Sequence, residues 1–296
     1  MMRKTTAVIF LLLTLGRLAA TPIKGADGVE VEIGDPQRIV ALNASTVEIL
    51  VEFGMGDRIV ATDNGGERVL APAKTTGLGH PYRPSVEGII AQKPDLVITP
   101  LENIKEPPLA QLRSAKVPVL VLEDSDTDGV DGLKRRITMI AAALAVPEKG
   151  KALNDSIDAR LKPIAETNAK LAKKKRVFFL YAHGPGSAVI HGRDTGAHWL
   201  IELAGGANAA DFTEGTKPLT PEALVAAAPD DIIMLERGLS AVGGMNGALA
   251  LTGVSLTPAG KNRAIHTVDD NIRWIGPRFL GEVEKLHADL YGKPAK

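Results

Sequence analysis

The sequence predicts an α/β fold of two doubly wound lobes with parallel sheets, joined by a long bridging helix. Three observations predict it. Short apolar strand patterns alternate with short helical ones in both halves, one helix–strand segment occurs twice, and a long stretch with helical spacing separates the two occurrences.

The first strand pattern is Arg38-Ile-Val-Ala-Leu42, and Ser45 is read as the cap of a helix running through Ile49, Leu50 and Phe53 to Gly54. Arg58-Ile-Val-Ala61 follows as a strand. After a Gly/Pro-rich loop, Ser85 opens a short helix that stops before Pro94, and Asp95-Leu-Val-Ile-Thr99 is again strand-like. Val117 to Leu122 adds one more buried strand before the acidic stretch Glu123 to Asp131. Beyond it, Ile137, Ile140, Ala141, Leu144, Leu153, Ile157 and Leu161 recur at helical intervals, interrupted by Pro147 and Pro163, so a bent or segmented helix is expected. Lys173, Lys174 and Lys175 form a solvated positive helix end before the strand Arg176 to Tyr181.

The second half then repeats the first. Pro84-Ser-Val-Glu87 through Pro94-Asp-Leu-Val-Ile98 matches Leu219-Thr-Pro-Glu222 through Pro229-Asp-Asp-Ile-Ile233. In each, a Ser/Thr cap precedes a Glu, a two-turn apolar helix follows, and Pro-Asp leads into a strand. The expected divisions are a signal segment at 1–20, a first lobe at 22–128, a bridging helix at 129–173 and a second lobe at 174–296.

Composition narrows the function. The 296 residues carry 35 Lys+Arg and 35 Asp+Glu, a balance that lacks the basic field of a nucleic-acid binder. With no cysteine, thiol catalysis, thiolate metal sites, disulfides and lipid attachment are all excluded. Met1-Met2-Arg3-Lys4 followed by the apolar run Ala7 to Leu15, with small residues around Leu18-Ala19-Ala20, has the form of a cleavable secretory signal and is too short for a membrane span. A free periplasmic protein is expected.

Arg38-Ile-Val-Ala-Leu, Val86-Glu-Gly-Ile-Ile-Ala-Gln-Lys-Pro-Asp-Leu-Val-Ile and Gln111-Leu-Arg-Ser-Ala-Lys-Val-Pro-Val resemble the helix-bridged periplasmic binding proteins that serve iron-siderophore, cobalamin and haem importers. Ala182-His-Gly-Pro-Gly, Gly192-Arg-Asp-Thr, Leu203-Ala-Gly-Gly-Ala-Asn, Lys217-Pro-Leu-Thr-Pro-Glu-Ala-Leu and Arg237-Gly-Leu-Ser resemble the haem (hemin) branch of that family. The resemblance implies a monomer that holds haem in the cleft between its lobes and hands it to an inner-membrane ABC permease and its ATPase. Glu87 and Glu222 match the surface glutamates with which this family docks on its permease. Each also sits where a carboxylate satisfies a helix N-terminus.

Ferric haem needs an axial ligand, usually Tyr or His. Haem-binding relatives carry a Gly-Tyr pair before the Glu-bearing helix, whereas this chain has Gly79-His80 there, with Tyr82 two positions on. His80 and Tyr82 are therefore both iron-ligand candidates. A tyrosinate needs a cation beside it, and Arg237, where the family places an arginine against the tyrosine, or Arg83 would supply one. His183 matches a histidine that in some relatives faces haem from the second lobe or binds a second, stacked haem. Arg273 and Trp274 are candidates for the cleft wall, while His191, His198, His266 and His287 are read as structural or surface residues.

Three other readings use the same residues. A ferric-siderophore or cobalamin binder would share the fold and partner without a protein iron ligand. A zinc site could draw on His80, His183 and His191, though no tight His spacing marks one. An enzyme could use Ser187 or the histidines, but no nucleophile elbow, HExxH, P-loop or dinucleotide fingerprint is present.

Overall fold

The computed structural model describes residues 22–70, 75–182 and 188–292, so the signal-like segment at 1–20 lies outside the described residues. Its first sheet has five strands in the order Thr76–Gly77, Ile59–Thr62, Ile39–Ala41, Leu96–Pro100, Val119–Leu122, every pair parallel. Both faces are buried. Ile39, Ala41, Leu96 and Ile98 turn to one side, with Ile49 and Leu50 of the helix Ala44–Glu52. Val40, Val97 and Val121 turn to the other, with Ile89 and Leu112. That is the period-two alternation of strands covered by helices on both faces. The cap of Ala44–Glu52 is Asn43, not Ser45: the Asn43 carboxamide oxygen accepts the Ser45 N–H, and Asn43 takes a φ of 80° that Asn tolerates better than Ser.

The second sheet runs Thr216–Pro218, Ala188–His191, Arg176–Ala182, Asp231–Leu235, Ile265–Val268, with Ala207–Asn208 also paired to Arg176–Ala182. It is mixed rather than wholly parallel. Ala188–His191 pairs antiparallel with Arg176–Ala182 on one side and with Thr216–Pro218 on the other. Only residues 183–187 separate the first two of these strands, too few for a parallel crossover, so the chain must double back.

The stretch between the sheets is segmented into two helices. Gly129–Ala143 ends where Ala145 adopts φ 54°, and Pro147 then starts Pro147–Asn168 at the position where its missing N–H costs nothing. Asn154 donates to Thr138 at 3.1 Å, Lys134 pairs with Asp158 and Gly150 packs on Ala141, so the helices lie antiparallel. The 22-residue second helix, about 33 Å long, is the long bridge, and Pro163 lies inside it without ending it.

The repeat seen in the sequence extends to its hydrogen bonds. Ser85 and Thr220 cap their helices through side-chain oxygens that accept from Gly88 and Ala223. Lys93 and Ala228, each before a proline, both take the left-handed conformation, with φ of 48° and 41°. Asp95 then accepts the N–H of Arg38 at 2.9 Å while Arg38 reaches the Gln92 carbonyl at 2.7 Å. In the other lobe Asp230 accepts the N–H of Arg176 at 2.9 Å, and Arg176 reaches the Ala227 carbonyl at 2.9 Å.

The lobes share one core. Ile39, Leu50, Ile137, Ile157, Phe179, Leu200 and Phe279 belong to a single buried cluster that joins both sheets through the linking helices. Arg136, only 2% exposed, ties the seam by donating to the carbonyls of Ser125 and Ile275, both at 2.8 Å. Burial holds its guanidinium down to about 10. Ser45 donates to the same Ile275 carbonyl at 2.8 Å, and Trp199 to the Asp126 carbonyl at 3.0 Å.

Candidate functional site

In open α/β sheets, ligands gather where strands end at their carboxyl side. There the first lobe presents a tightly held turn. Leu78 donates to Thr62, Ser85 donates back to Leu78 at 3.1 Å, and Arg83 donates to His80 at 2.9 Å, closing a loop that starts with Gly79 at φ 85°. Pro81 is buried beneath it, and its carbonyl accepts from the carboxamide of Asn103 at 2.7 Å. Asn103 is itself 2% exposed, so it makes a rigid floor. Above that floor Tyr82 stands out, 41% exposed.

Tyr82 forms part of two adjoining cavities. One, of about 560 Å³, is walled by Tyr82, Arg83, Pro84, Glu102, Ile104 and Lys105 of the first lobe. The other, of about 130 Å³, lies between the lobes, with Tyr82 and Asp126 on one side and His191, Thr195, Ile272 and Arg273 on the other. The larger volume falls in the range of small-molecule sites and the smaller one below it.

His80 and Tyr82 differ in what their arrangement allows. The His80 Nδ1 accepts the backbone N–H of Tyr82 at 3.2 Å, which places the proton of a neutral imidazole on Nε2. Nε2 can bind a metal only if that proton moves to Nδ1, and the bond to Tyr82 is then lost. The Tyr82 phenol carries no such restriction.

Charge around the cleft is unevenly held. Burial pushes Glu102 up to about 7, with Asp124 beside it adding to the rise, although its carboxylate accepts from Asn43, Ser125 N and Ser125 Oγ. Burial also raises Asp126 above the ordinary carboxylate range. Arg237 does not meet Tyr82. Its Nη2 donates to the Tyr181 hydroxyl at 2.5 Å and its Nε to Asp270 at 2.7 Å, with the guanidinium 5.2 Å from the Tyr181 ring centre. An acidic side chain so close fixes the arginine before it can reach the first lobe.

Arg273 lines the interlobe cavity, whereas Trp274 is buried against Gly65 and leaves the cleft wall to its neighbour. His183 lies outside the described residues. Glu87 and Glu222 are exposed in the first turns of their helices, one on each lobe.

The cleft residue that sequence reasoning read as structural or surface is His191. His198 contacts Asn208, His266 bonds Asp231 and His287 bonds the Ala204 carbonyl, as structural histidines do. His191 instead lines the interlobe cavity, its ring 4.6 Å from Phe179 and edge-on to Tyr181. Burial and the charge of Arg273 hold it down to about 4, so it is a neutral base at any physiological pH. Its signal lay in the alternation Val189/His191 against Ile190, but that alternation has meaning only once the chain is known to double back after Ala182.

The comparisons agree with this architecture. A family model described as periplasmic binding protein matches residues 39–272. The chain belongs to that family. As a member it is an extracytoplasmic protein of the solute-binding kind. The periplasmic heme-binding protein RhuT from Roseiflexus sp. RS-1, in its apo form, is 33% identical, with a TM-score of 0.79 over 86% of this chain and 98% of that one. The uncharacterized ABC transporter substrate-binding lipoprotein YvrC of Bacillus subtilis is 28% identical over 87% of this chain and 81% of its own length. A cobalamin-binding protein of Halobacterium salinarum is 26% identical over 73% of this chain and 59% of its own length. Among the described residues no group of three or more His, Asp or Glu could hold a free metal ion, and no helix is long and apolar enough to cross a membrane.

Proposed function

We propose that this chain is the periplasmic haem-binding component of an ABC importer, acting as a monomer that takes haem between lobes 22–128 and 174–296 and passes it to the inner-membrane permease and its ATPase. The observation that carries the reading is Tyr82: an exposed phenol on a turn fixed from below, facing a cleft whose far wall holds a cation and a neutral imidazole. Likeness to a haem-binding relative gives that arrangement its cargo.

The donor set fits the group. A phenolate is a hard anionic ligand for Fe(III), and Arg83 and Arg273, which share cavity walls with Tyr82, are cationic candidates to favour its deprotonation, since Arg237 is held by Asp270. Arg83, Lys105 and Arg273 also offer partners for two propionates, and Pro84, Ile104 and Ile272 offer apolar surface for the macrocycle. His80 then serves the turn, not the iron, and His183 remains a candidate for a second face. Glu87 and Glu222 serve as the docking points for the two permease subunits.

Hemin titration of the mature protein, followed by visible absorption beside parallel titrations with cyanocobalamin and a ferric siderophore, tests the reading. Saturable binding at one or two equivalents of hemin is expected. Saturation by cyanocobalamin or the siderophore, with only unsaturable hemin binding, would replace haem by that cargo.

A further inference from the structure

Resting on the haem reading, we infer that Glu102 is a proton-carrying wall of the larger cavity: neutral, it donates to Asp124, and once that proton leaves it weakens the hold on a cargo that bears carboxylates. Three features meet there. Glu102 lines the cavity of about 560 Å³ together with Arg83 and Lys105, whose cations partner the propionates. Its carboxyl is in hydrogen-bonding contact with the Asp124 side chain, and two carboxyl groups make such a bond only with a proton between them. Asp124 Oδ1 is buried and accepts from no N–H or hydroxyl. A neutral Glu102 supplies the missing donor.

The surroundings leave that proton in place. Arg136, from Gly129–Ala143, spends its Nη groups on the carbonyls of Asp124, Ser125 and Ile275 and none on the carboxyls. Asn43 and Ser125 donate to Glu102 but carry no charge. Asp126 follows on the same loop, Asp63 takes the Asn43 N–H at 2.6 Å, and Glu123 is tied to Arg135. Arg83, Lys105 and Glu106 complete the charged groups of the cavity wall. Burial, with Asp124 beside it, sets the loss of the Glu102 proton at about 7. Above that pH a new negative charge stands on the wall that Arg83 and Lys105 share, so a carboxylate held there is repelled on the alkaline side, and its capture there takes up a proton.

Affinities of wild type, Glu102→Gln and Asp124→Asn for hemin are measured from about pH 5 to about pH 9, beside hemin dimethyl ester, whose propionates carry no charge. Glutamine keeps the shape and the donor of the neutral carboxyl without its titration. The ratio of wild-type to Glu102→Gln affinity for hemin should fall about tenfold as pH rises through neutrality, the effect of one pK unit of coupling, and stay level for the ester. Ionisations elsewhere in the complex act on both proteins alike and cancel in the ratio. In Asp124→Asn the fall should begin at lower pH, because Glu102 has lost the neighbour that holds its proton. Infrared difference spectra of the ligand-free proteins check the proton itself: the carboxyl absorption that disappears through neutrality should be weaker in Glu102→Gln than in wild type. A level ratio for hemin, an equal fall for the ester, or equal carboxyl absorption in the two proteins overturns this inference and leaves the haem reading standing. Absence of saturable hemin binding by wild type overturns both.

Discussion

Arg68 and Asp270 meet across the two lobes, guanidinium nitrogen to carboxylate oxygen at 2.5 Å, although 202 residues separate them in the chain. The other oxygen of Asp270 takes Arg237 at 2.7 Å, so one carboxylate, only 13% exposed, balances a cation from each lobe. Asp270→Asn should lower the thermal midpoint at low salt by about 2–4 °C, as expected for a loss of roughly 1 kcal/mol in a domain of this size. The deficit should shrink in high salt, where the wild-type ion pairs are screened. Equal midpoints at low salt would show that the tie contributes nothing.

Tyr82 and His80 are separable by spectroscopy. Tyr82→Phe should remove the phenolate-to-iron charge-transfer absorption of the hemin complex and weaken binding by at least about tenfold. His80→Ala should leave that absorption in place, because the His80 Nδ1 is committed to the Tyr82 backbone. The reverse pattern would make His80 the ligand and require the turn to rearrange on binding.

Two carboxyls give stability a pH dependence of unusual sign. Burial raises both Glu48 and Glu102 from 4.5 to about 7 in the folded chain. Between those values the unfolded chain has released protons that the folded chain keeps, so stability falls as pH rises through that window and levels off above it. A shift of this size corresponds to about 3 kcal/mol for Glu48, which is 3% exposed and accepts the Arg278 N–H at 2.9 Å. Glu48→Gln should therefore stabilise the protein by about 1–3 kcal/mol above neutrality and have little effect near pH 5. Urea unfolding at both pH values measures the difference; equal effects at the two would refute the assignment.

Docking and capture should come apart in the exposed glutamates. Glu87→Ala and Glu222→Ala are expected to leave hemin affinity unchanged and to cost no more than about 1 kcal/mol of stability each, the value of a first-turn carboxylate. Stimulation of the transporter ATPase in proteoliposomes should fall with each change and further with both. Full stimulation by the double variant would assign these residues to the helix ends alone.

The parts of the fold legible in sequence are those set by local patterns. Apolar alternation marks the strands, and the caps Ser85 and Thr220 with the following Pro-Asp mark the repeated helix–strand unit. What those aspartates do was not legible, because Asp95 and Asp230 act on arginines that lie 57 and 54 residues away, Arg38 just before one strand and Arg176 at the start of another. The same holds in the site. The family's Gly-Tyr position marked the turn that carries His80 and Tyr82, whereas the pairing of Arg237 with Asp270 has no mark in sequence. His191 reads as structural or surface because its exposure to the cleft depends on an antiparallel return that residue types alone do not announce.

The carbonyl of Pro81 resting on Asn103 separates two tasks within eight residues. Backbone bonds, the His80 ring and a buried proline hold the shape of the turn, so the side chains at 82 and 83 can be exchanged without rebuilding the lobe beneath them. Such a mount lets one scaffold change cargo by a few substitutions. It also makes this turn the natural place to graft new metal or chelate specificity onto the chain.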